Sequence, residues 1–537
     1  MKKLFSFLLA IGFCSYSSAA TAENFKQAPD AVIATKSLSS LPQDIIKIPI
    51  LKDLLTEDFV FYYNDGGADW LSFKGALARI SFEQKTDWPS QVLAWLLNGP
   101  AEIALWKGND GKLNHFMVVI DQTGVKALIE SMVKSNAAFP KDQQLGDETS
   151  DTNKRKVQVL NLGSERKIYL ASEGNLFFIY SDLNMILPTN ERTLKDRVMS
   201  FFGVSDQIGV FGPKLGNANH VLTVNAKYLS FGYQAFFDSI KAFQFRYDEQ
   251  GWKTAVLTST EMKLPDQKDW SQLPRGAAFC AALPVDKKKI ESIIKAGNWL
   301  EKAADTAVGC WYPTSKLYSP VLALRGDYSE LIQNSDELRK LFNSVIGSRE
   351  ALWKPAVEEG GLPTLIYKKK LDVKVEKQAS QVSFTREVGG RFGLYNSKKS
   401  SDSAKLGSKR FFRVKLSVTP GSILFSPDDQ LVDQSLNTIA GKFPSMQTMM
   451  SSKSSGVSIF VSPEALAKLA KSSMLESLPQ AQESIFRGAV SKHLFPNLDK
   501  FAKRPAQTAS LGAADDSNQS AVGLRWKTLD WVSNAAK

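Results

Sequence analysis

One order of elements occurs twice in this chain and constrains its fold more than any other feature. Residues 101–135 and residues 307–347 each have the pattern of a short apolar strand, a polar turn, a second apolar strand and an amphipathic helix. The first strand ends at Trp106 in one unit and at Trp311 in the other. Because strands joined by short turns pair antiparallel, each unit predicts a hairpin with a helix packed against it.

Other segments repeat in the same order, which predicts a tandem duplication. Residues 41–42 correspond to 273–274, the hairpin 167–182 to 410–429, and the strand and helix at 220–240 to 456–470. We therefore predict an α+β fold with two tandem, similarly ordered halves. Each half is expected to be a mostly antiparallel sheet with helices packed on one face.

The polar, proline-bearing stretch 262–276 is the best candidate for a boundary between the halves. The predicted organisation is a signal peptide at 1–22, an extended lead at 23–40, a first half at 41–261, a linker at 262–276 and a second half at 277–537. Two halves suit a chain of 537 residues, because a single core stops growing at ~250–300 residues.

The N-terminus has the three parts of a secretory signal peptide. Lys2 and Lys3 precede an apolar run at 4–13, and small residues follow up to Ala22. This pattern predicts cleavage after Ala22 or after Ala20. The apolar run is too short to cross a bilayer, which takes roughly 20 apolar residues.

The signal peptide therefore predicts an exported, periplasmic protein. Once the signal is removed, we expect no membrane span, because no later stretch has enough consecutive apolar residues. Cys14 leaves a lipoprotein interpretation open, although the bulky Phe13 before it argues against that processing. The net charge of +12 permits weak attraction to anionic envelope surfaces and is too diffuse to predict nucleic-acid binding.

Two cysteines, Cys280 and Cys310, remain after signal removal and predict a disulfide. Both lie in apolar runs typical of strands, and an even number in an oxidising compartment favours pairing. A bridge between them would close a loop of about 30 residues and would stabilise the fold by roughly 3–4 kcal/mol. Two buried free thiols are the alternative, and no Cys-x-x-Cys supports a catalytic dithiol.

The sequence offers no pattern for metal, nucleotide or serine-hydrolase chemistry, so no metal and no cofactor are predicted. His115, His220 and His493 do not lie at metal-ligand spacing, and we interpret His115 and His220 as residues at strand starts. Neither a Gly-x-Ser-x-Gly motif nor a glycine-rich phosphate loop after a strand is present.

Carboxylates are the remaining candidates for catalysis. Asp182 in the first half and the pair Asp428 and Asp429 in the second each follow a strand and precede a helix. They could form an acid–base pair of the kind that glycosidases use. The alternative is helix capping, which explains why serine and proline accompany them.

Two groups of residues could form a binding surface. Trp106 and Trp311 could stack on a sugar or a peptide, or could be the large hydrophobic residues of each core. A basic, serine-rich loop could contact an anionic surface or could be a solvated loop; its cations are Lys398, Lys399, Lys409 and Arg410.

The segments 41–63 and 100–121, together with Cys280 and 310–312, resemble a domain-of-unknown-function family of exported proteobacterial proteins. The genes of that family often lie beside genes for bacterial alpha-2-macroglobulin-like proteins. The resemblance therefore implies a periplasmic role near a protease-trapping system, with an alpha-2-macroglobulin-like protein as partner. It implies no catalytic residues.

These observations favour a non-catalytic periplasmic binding or scaffold protein of unknown ligand. The alternative is an envelope hydrolase that acts on glycan through the carboxylates at strand–helix junctions. A carrier of a small molecule or lipid is a third hypothesis, and it requires a deep apolar pocket.

The signal sequence predicts that the exported protein begins at Glu23 or Thr21. N-terminal sequencing of the protein recovered from periplasm should give one of these two residues, and Cys14→Ser should leave processing unchanged. A mature chain that still begins at Met1 contradicts export by cleavage, and a chain that begins at a lipid-modified Cys14 supports the lipoprotein alternative.

Overall fold

The computed structural model describes about half of the chain. The described residues are 29–38, 40–41, 44, 47, 98–107, 113–121, 145–149, 156–161, 167–173, 176–185, 215, 217–229, 240–258, 265–294, 298–314, 320–333, 336, 338–340, 342–343, 373–389, 411–450, 457–477, 491, 494–514 and 524–534. The predicted signal peptide lies outside them.

Twenty strands are present in the described residues. They are β1 Ala31–Thr35, β2 Ala101–Lys107, β3 Leu113–Asp121, β4 Leu145–Thr149, β5 Lys156–Asn161, β6 Lys167–Glu173, β7 Leu176–Tyr180, β8 His220–Asn225, β9 Ile240–Asp248, β10 Gly251–Thr258, β11 Phe279–Pro284, β12 Ala303–Trp311, β13 Val321–Gly326, β14 Lys374–Gln378, β15 Gln381–Gly389, β16 Phe411–Thr419, β17 Ser422–Ser426, β18 Val457–Val461, β19 Gln507–Ala514 and β20 Arg525–Ser533.

The described helices are short and lie between strands. They are α1 Ala226–Leu229, α2 Lys287–Ile294, α3 Ser329–Gln333, α4 Asp429–Ile439, α5 Pro463–Ser477 and α6 Phe495–Ala502, with 3-10 turns at Leu183–Met185, Gln267–Gln272, Asn298–Leu300 and Met446–Met449. Local sequence accounts for two starts: Asp428 caps α4, and Pro463 begins α5 where a missing N–H costs nothing.

All described strands belong to one antiparallel sheet. From one edge the strand order is β4-β5-β6-β7-β3-β2-β1-β8-β9-β10, and from the other it is β14-β15-β16-β17-β13-β12-β11-β18-β19-β20. Each strand number in the second list is ten higher than its counterpart. The tandem duplication predicted from the sequence would produce this order.

The prediction of an α+β fold with two separate sheets is wrong. The described part of the chain is mostly β, and β10 pairs with β20 from Thr254–Leu529 to Thr258–Arg525, which makes the two sets of ten strands continuous. The physical reason is the edge problem: the last strand of each set would expose a row of unpaired N–H and C=O groups. Pairing the two strands satisfies both rows at once.

The stretch predicted as a linker packs against the second part of the sheet. It contains the 3-10 turn Gln267–Gln272, in which Trp270 is buried, and Leu273 beyond the turn is buried as well. Met446 donates its N–H to the carbonyl of Leu273 at 2.8 Å. The predicted lead at 23–40 contains β1, which pairs with both β2 and β8.

The disulfide prediction is confirmed. Cys280 and Cys310 lie directly opposite each other on β11 and β12, and their sulfurs are bonded. Both are fully buried, in a cluster that Trp270 and Leu424 also join. The bridge therefore fixes the register of two strands within a core.

Alternation along the strands divides the side chains between two faces of the sheet. We call the face that carries Thr35 and His220 the front face, and the face that carries Trp106 the back face. The back face of the first ten strands is covered by a buried cluster that includes Trp106, Met117, Val119, Phe178 and Tyr180.

Glu102 is the exception in this apolar surface. It lies on β2 between Ala34 of β1 and Val119 of β3, and it is fully buried. Neither of its carboxyl oxygens has a hydrogen-bond partner among the described residues. Burial raises the pKa of this carboxyl well above its ordinary value of 4.5, so the protonated form is favoured in the folded protein more than in the unfolded chain.

Glu102→Gln should stabilise the protein at neutral and alkaline pH. Between pH 4.5 and its raised pKa, Glu102 ionises in the unfolded chain and not in the folded one, so stability falls as pH rises, by up to about 1.4 kcal/mol per pH unit. Urea unfolding at several pH values measures this slope. The variant should lose this slope and converge with the parent near pH 4, whereas the exposed Glu301→Gln should change little. An unchanged slope in Glu102→Gln would show that Glu102 ionises normally.

Candidate functional site

The structure places the two predicted tryptophans on opposite faces of the sheet. Trp106 is only 3% exposed and belongs to the back-face cluster. Trp311 lies on the front face, partly buried, with its ring 5.4 Å from that of Phe279. The two residues therefore do not form a common binding surface.

The predicted carboxylates follow β7 and β17, which have twelve strands between them in the sheet order. The Asp428 carboxylate accepts the N–H of Gln430 at 3.1 Å and caps α4. Asp429 lies opposite Arg413, with 3.8 Å between Oδ2 and Nη1. Asp182 is in the turn after β7, where its carbonyl accepts the N–H of Met185. The described contacts do not join Asp182 to Asp428.

The basic loop predicted as a binding surface lies outside the described residues. This applies to Lys398, Lys399, Lys409 and Arg410.

A polar cluster that the sequence did not predict lies on the front face near the centre of the sheet. His220, at the start of β8, is fully buried and is paired directly with Thr35 at the end of β1. Its Nδ1 is 2.7 Å from Oγ1 of Thr35, and its Nε2 is 2.8 Å from Oδ2 of Asp44. We call Thr35, Asp44 and His220 the clamp, because they tie the chain beyond β1 to the sheet.

The electrostatics of the clamp favour a neutral imidazole beside an ionised carboxylate. Burial lowers the pKa of His220, the hydrogen bond and charge of Asp44 oppose that effect, and the charge of Lys47 adds to it. Burial raises the pKa of Asp44, but hydrogen bonds from Lys47 and His220 outweigh burial and leave that pKa below its ordinary value. A proton on Nε2 lets the ring donate to Asp44. The single proton of the Thr35 hydroxyl is within reach of two acceptors, Nδ1 of His220 and the carbonyl of Ser37, each at 2.7 Å.

Aromatic side chains lie next to the clamp on the front face of the sheet. We call Tyr247, Trp252 and Trp531 the front-face row. The ring of Tyr247 on β9 stacks on His220 with 5.7 Å between centroids, and the ring of Trp252 on β10 lies 5.1 Å from Tyr247. Lys47 donates to the Tyr247 hydroxyl at 3.1 Å, and its Nζ lies 5.5 Å from the ring centre. Trp252 donates its Nε1–H to the Asp44 carbonyl at 2.7 Å.

The described pairing of β10 with β20 stops short of Trp252, and we call the stretch beyond the last pair the opening. The β10–β20 ladder ends at Thr254–Leu529, although the same register continued would place Trp252 opposite Trp531. Strand β20 runs on through Ser533 and, among the described strands, pairs there with β19 alone. We call Asp530–Ser533 the open segment. The Trp531 side chain is 39% exposed and donates its Nε1–H to Oγ1 of Thr254 at 2.7 Å.

This arrangement is suited to recognition. Both ring nitrogens of His220 are engaged and the ring is fully buried, so it does not meet a substrate as a general base. Tyr247, Trp252 and Trp531 combine large apolar rings with polar groups at one end, which is the chemistry that binding surfaces favour. In the described residues, no group of three or more His, Cys, Asp or Glu could hold a metal ion.

Sequence reasoning missed this site because its members are distant along the chain. Asp44 and His220 are 176 residues apart, and no local motif connects them. The tripeptide Trp-Lys-Thr occurs at 252–254 and again at 526–528. Their strands β10 and β20 are direct neighbours, so this similarity was the available signal.

The comparisons with known proteins give a family and no activity. A family model described as "Uncharacterized protein conserved in bacteria (DUF2138)" matches residues 14–531. The chain is 29% identical to "Uncharacterized protein YfaA" of Escherichia coli (strain K12) over 537 residues, with 94% of this chain and 89% of that protein covered. No solved structure matches the chain significantly. None of the described helices is long and apolar enough to cross a membrane.

His220→Gln should destabilise the protein at neutral pH and weaken its response to acid. An amide cannot bridge Thr35 and Asp44 as the imidazole does, which should cost roughly 2–3 kcal/mol of unfolding free energy at pH 7. His220 and Asp44 both have lowered pKa values, so each stabilises the fold above its ordinary pKa, 6.5 and 3.8, and loses that contribution as pH falls.

Chemical unfolding between pH 7.5 and pH 5 measures the effect of His220→Gln. The parent should lose stability on acidification through this range, and the variant should lose less. Thr35→Val is the matched control, because it removes one hydroxyl, keeps the histidine and should cost about 1 kcal/mol. A parent and a His220→Gln variant with parallel pH curves would mean that the clamp does not titrate.

Proposed function

The chain belongs to a family of uncharacterised bacterial proteins, and from its own site we propose that it is a non-catalytic binding or scaffold protein of the bacterial envelope. The front-face row at the centre of the sheet carries this proposal. It contains three aromatic residues with exposed or partly exposed rings, Tyr247, Trp252 and Trp531, on strands held in register by main-chain bonds. A rigid, preformed surface of this kind loses little conformational entropy when it binds.

The proposed location is the periplasm, reached through the signal peptide at 1–22. The buried bridge between Cys280 and Cys310 is consistent with an oxidising compartment, where disulfides persist. The resemblance stated from the sequence gives a partner to test, namely an alpha-2-macroglobulin-like periplasmic protein.

Mild crosslinking in intact cells tests the proposed function. The protein should be found in the periplasm, and the alpha-2-macroglobulin-like protein should be recovered with it by mass spectrometry. Trp531→Ser should lower this recovery several-fold, because removing an exposed aromatic anchor costs binding energy of about 2 kcal/mol or more. Lys227→Ser, an exposed site on α1, is the control and should recover the partner as the parent does.

Two outcomes would contradict the proposed function. Recovery of the protein from the cytoplasm alone would remove the envelope role. Equal recovery of the partner with Trp531→Ser and with the parent would remove the front-face row as the binding surface.

A further inference from the structure

We propose that the open segment, Asp530–Ser533, binds an extended polypeptide by strand addition to β20. This inference rests on the proposed binding function and names the class of ligand. It follows from the main chain of the sheet and from the side chains on each face of the open segment.

The main chain of the open segment presents donors and acceptors to the side on which the ladder with β10 has ended. Asn534 donates its N–H to the carbonyl of Ala506 at 2.7 Å. Hydrogen-bonding direction alternates along an antiparallel strand, so Val532 and Asp530 bond to β19 while Trp531 and Ser533 point their N–H and C=O groups away from it. No hydrogen bond joins these groups of Trp531 and Ser533 to other described residues.

The other side of the opening also presents main-chain groups. In the hairpin of β9 and β10, Gly251 pairs with Asp248 across a two-residue turn. Alternation from this pair directs the N–H and C=O of Trp252 toward β20. An extended chain lying in the opening would therefore meet hydrogen-bonding groups at strand spacing on β20 and, beyond the end of the ladder, on β10.

The side chains of the open segment suit an alternating peptide. Trp531 is exposed on the front face and Val532 is 59% exposed on the back face. An added strand places successive side chains on opposite faces, so it would bring an apolar group beside each of these two residues. Exposed apolar side chains on both faces are unusual within a sheet and are removed from water by a neighbouring strand.

The clamp keeps this opening in place. Trp252 donates its indole N–H to the carbonyl of Asp44, whose carboxylate accepts from His220. The start of β10 is thereby tied to the chain beyond β1. The main-chain groups at the opening favour a polypeptide over a glycan or a lipid, because a polypeptide repeats donors and acceptors at the same spacing as β20.

The probe for this proposal is a terminally blocked peptide of about seven residues that alternates valine and threonine between lysine ends. Its binding to the full-length mature protein is measured by calorimetry or fluorescence anisotropy. The same peptide N-methylated at its interior residues keeps the side chains and loses the donors. Its affinity should be lower by about tenfold or more than that of the unmethylated peptide, since each lost hydrogen bond costs about 1 kcal/mol.

Matched variants at Ser533 locate the binding. Ser533→Pro removes an N–H that faces the opening and leaves the bonds between β20 and β19 in place, whereas Ser533→Ala keeps that N–H. Ser533→Pro should lower the affinity for the peptide about fivefold or more, and Ser533→Ala should bind as the parent does. Thermal unfolding of both variants checks that each is folded, and the N-methylated peptide tests the proposal on the parent if Ser533→Pro does not fold.

Equal binding of the two peptides by the parent, or no binding of either, would overturn the proposal. If the peptide does not bind but the envelope partner is recovered, strand addition is excluded and the proposed function is retained. Binding of the peptide without recovery of that partner would support strand addition and contradict the named partner.

Discussion

The main-chain ladder between β10 and β20 is the interaction on which the rest of this structure depends. Each of the two strands completes a set of ten, and each would otherwise be a sheet edge with unsatisfied N–H and C=O groups. Their pairing turns two similar sets of strands into one sheet. It also places β10, which ends the first set, beside β20, which ends the second, so residues about 280 positions apart, Thr254 and Trp531, come within hydrogen-bonding distance. The junction thereby places Trp531 and the open segment beside the aromatic residues of the first set.

The same junction is incomplete at one end, and the neighbouring polar cluster explains how that end is held. Trp252 is bonded to the chain beyond β1 through Asp44, and His220 and Thr35 secure that chain to β8 and β1. If the register of the ladder continued, the indoles of Trp252 and Trp531 would lie opposite each other. The clamp is built from neutral and ionised groups whose balance depends on pH, so acid should loosen the anchor of Trp252. Through Asp44, the buried His220 is thus connected to the start of β10, next to the exposed end of β20.

The sequence predicted local features of this fold better than its overall class. The hairpins at 167–182 and 410–429 appear as β6–β7 and β16–β17, and the predicted bridge between Cys280 and Cys310 joins two neighbouring strands. The class was wrong because the pairing of β10 with β20 is a long-range choice that no local pattern encodes. In the described residues sheet dominates over helix, and the pairing of the two edge strands makes that sheet continuous.

The site residues predicted from the sequence do not coincide with the clamp, for a related reason. Trp106 and Trp311 occupy similar positions in their sequence units, yet they lie on opposite faces, and a shift of one residue in register reverses the face of a side chain. The carboxylates at Asp182 and Asp428 had a recognisable local role, and for Asp428 the structure shows the cap directly. His220 carried no local signal at all, because its partners come from β1 and from the chain after it.

Amide hydrogen exchange resolved to single residues tests the central claim most directly. If β10 and β20 form one continuous sheet that opens beyond Thr254–Leu529, the amides of Thr254, Val256 and Leu529 should be among the slowest to exchange. The amides of Trp252, Trp531 and Ser533 should exchange several orders of magnitude faster, although they belong to the same strands. Protection of Trp531 and Ser533 equal to that of Leu529 would contradict the account, and so would rapid exchange along the whole of β10 and β20.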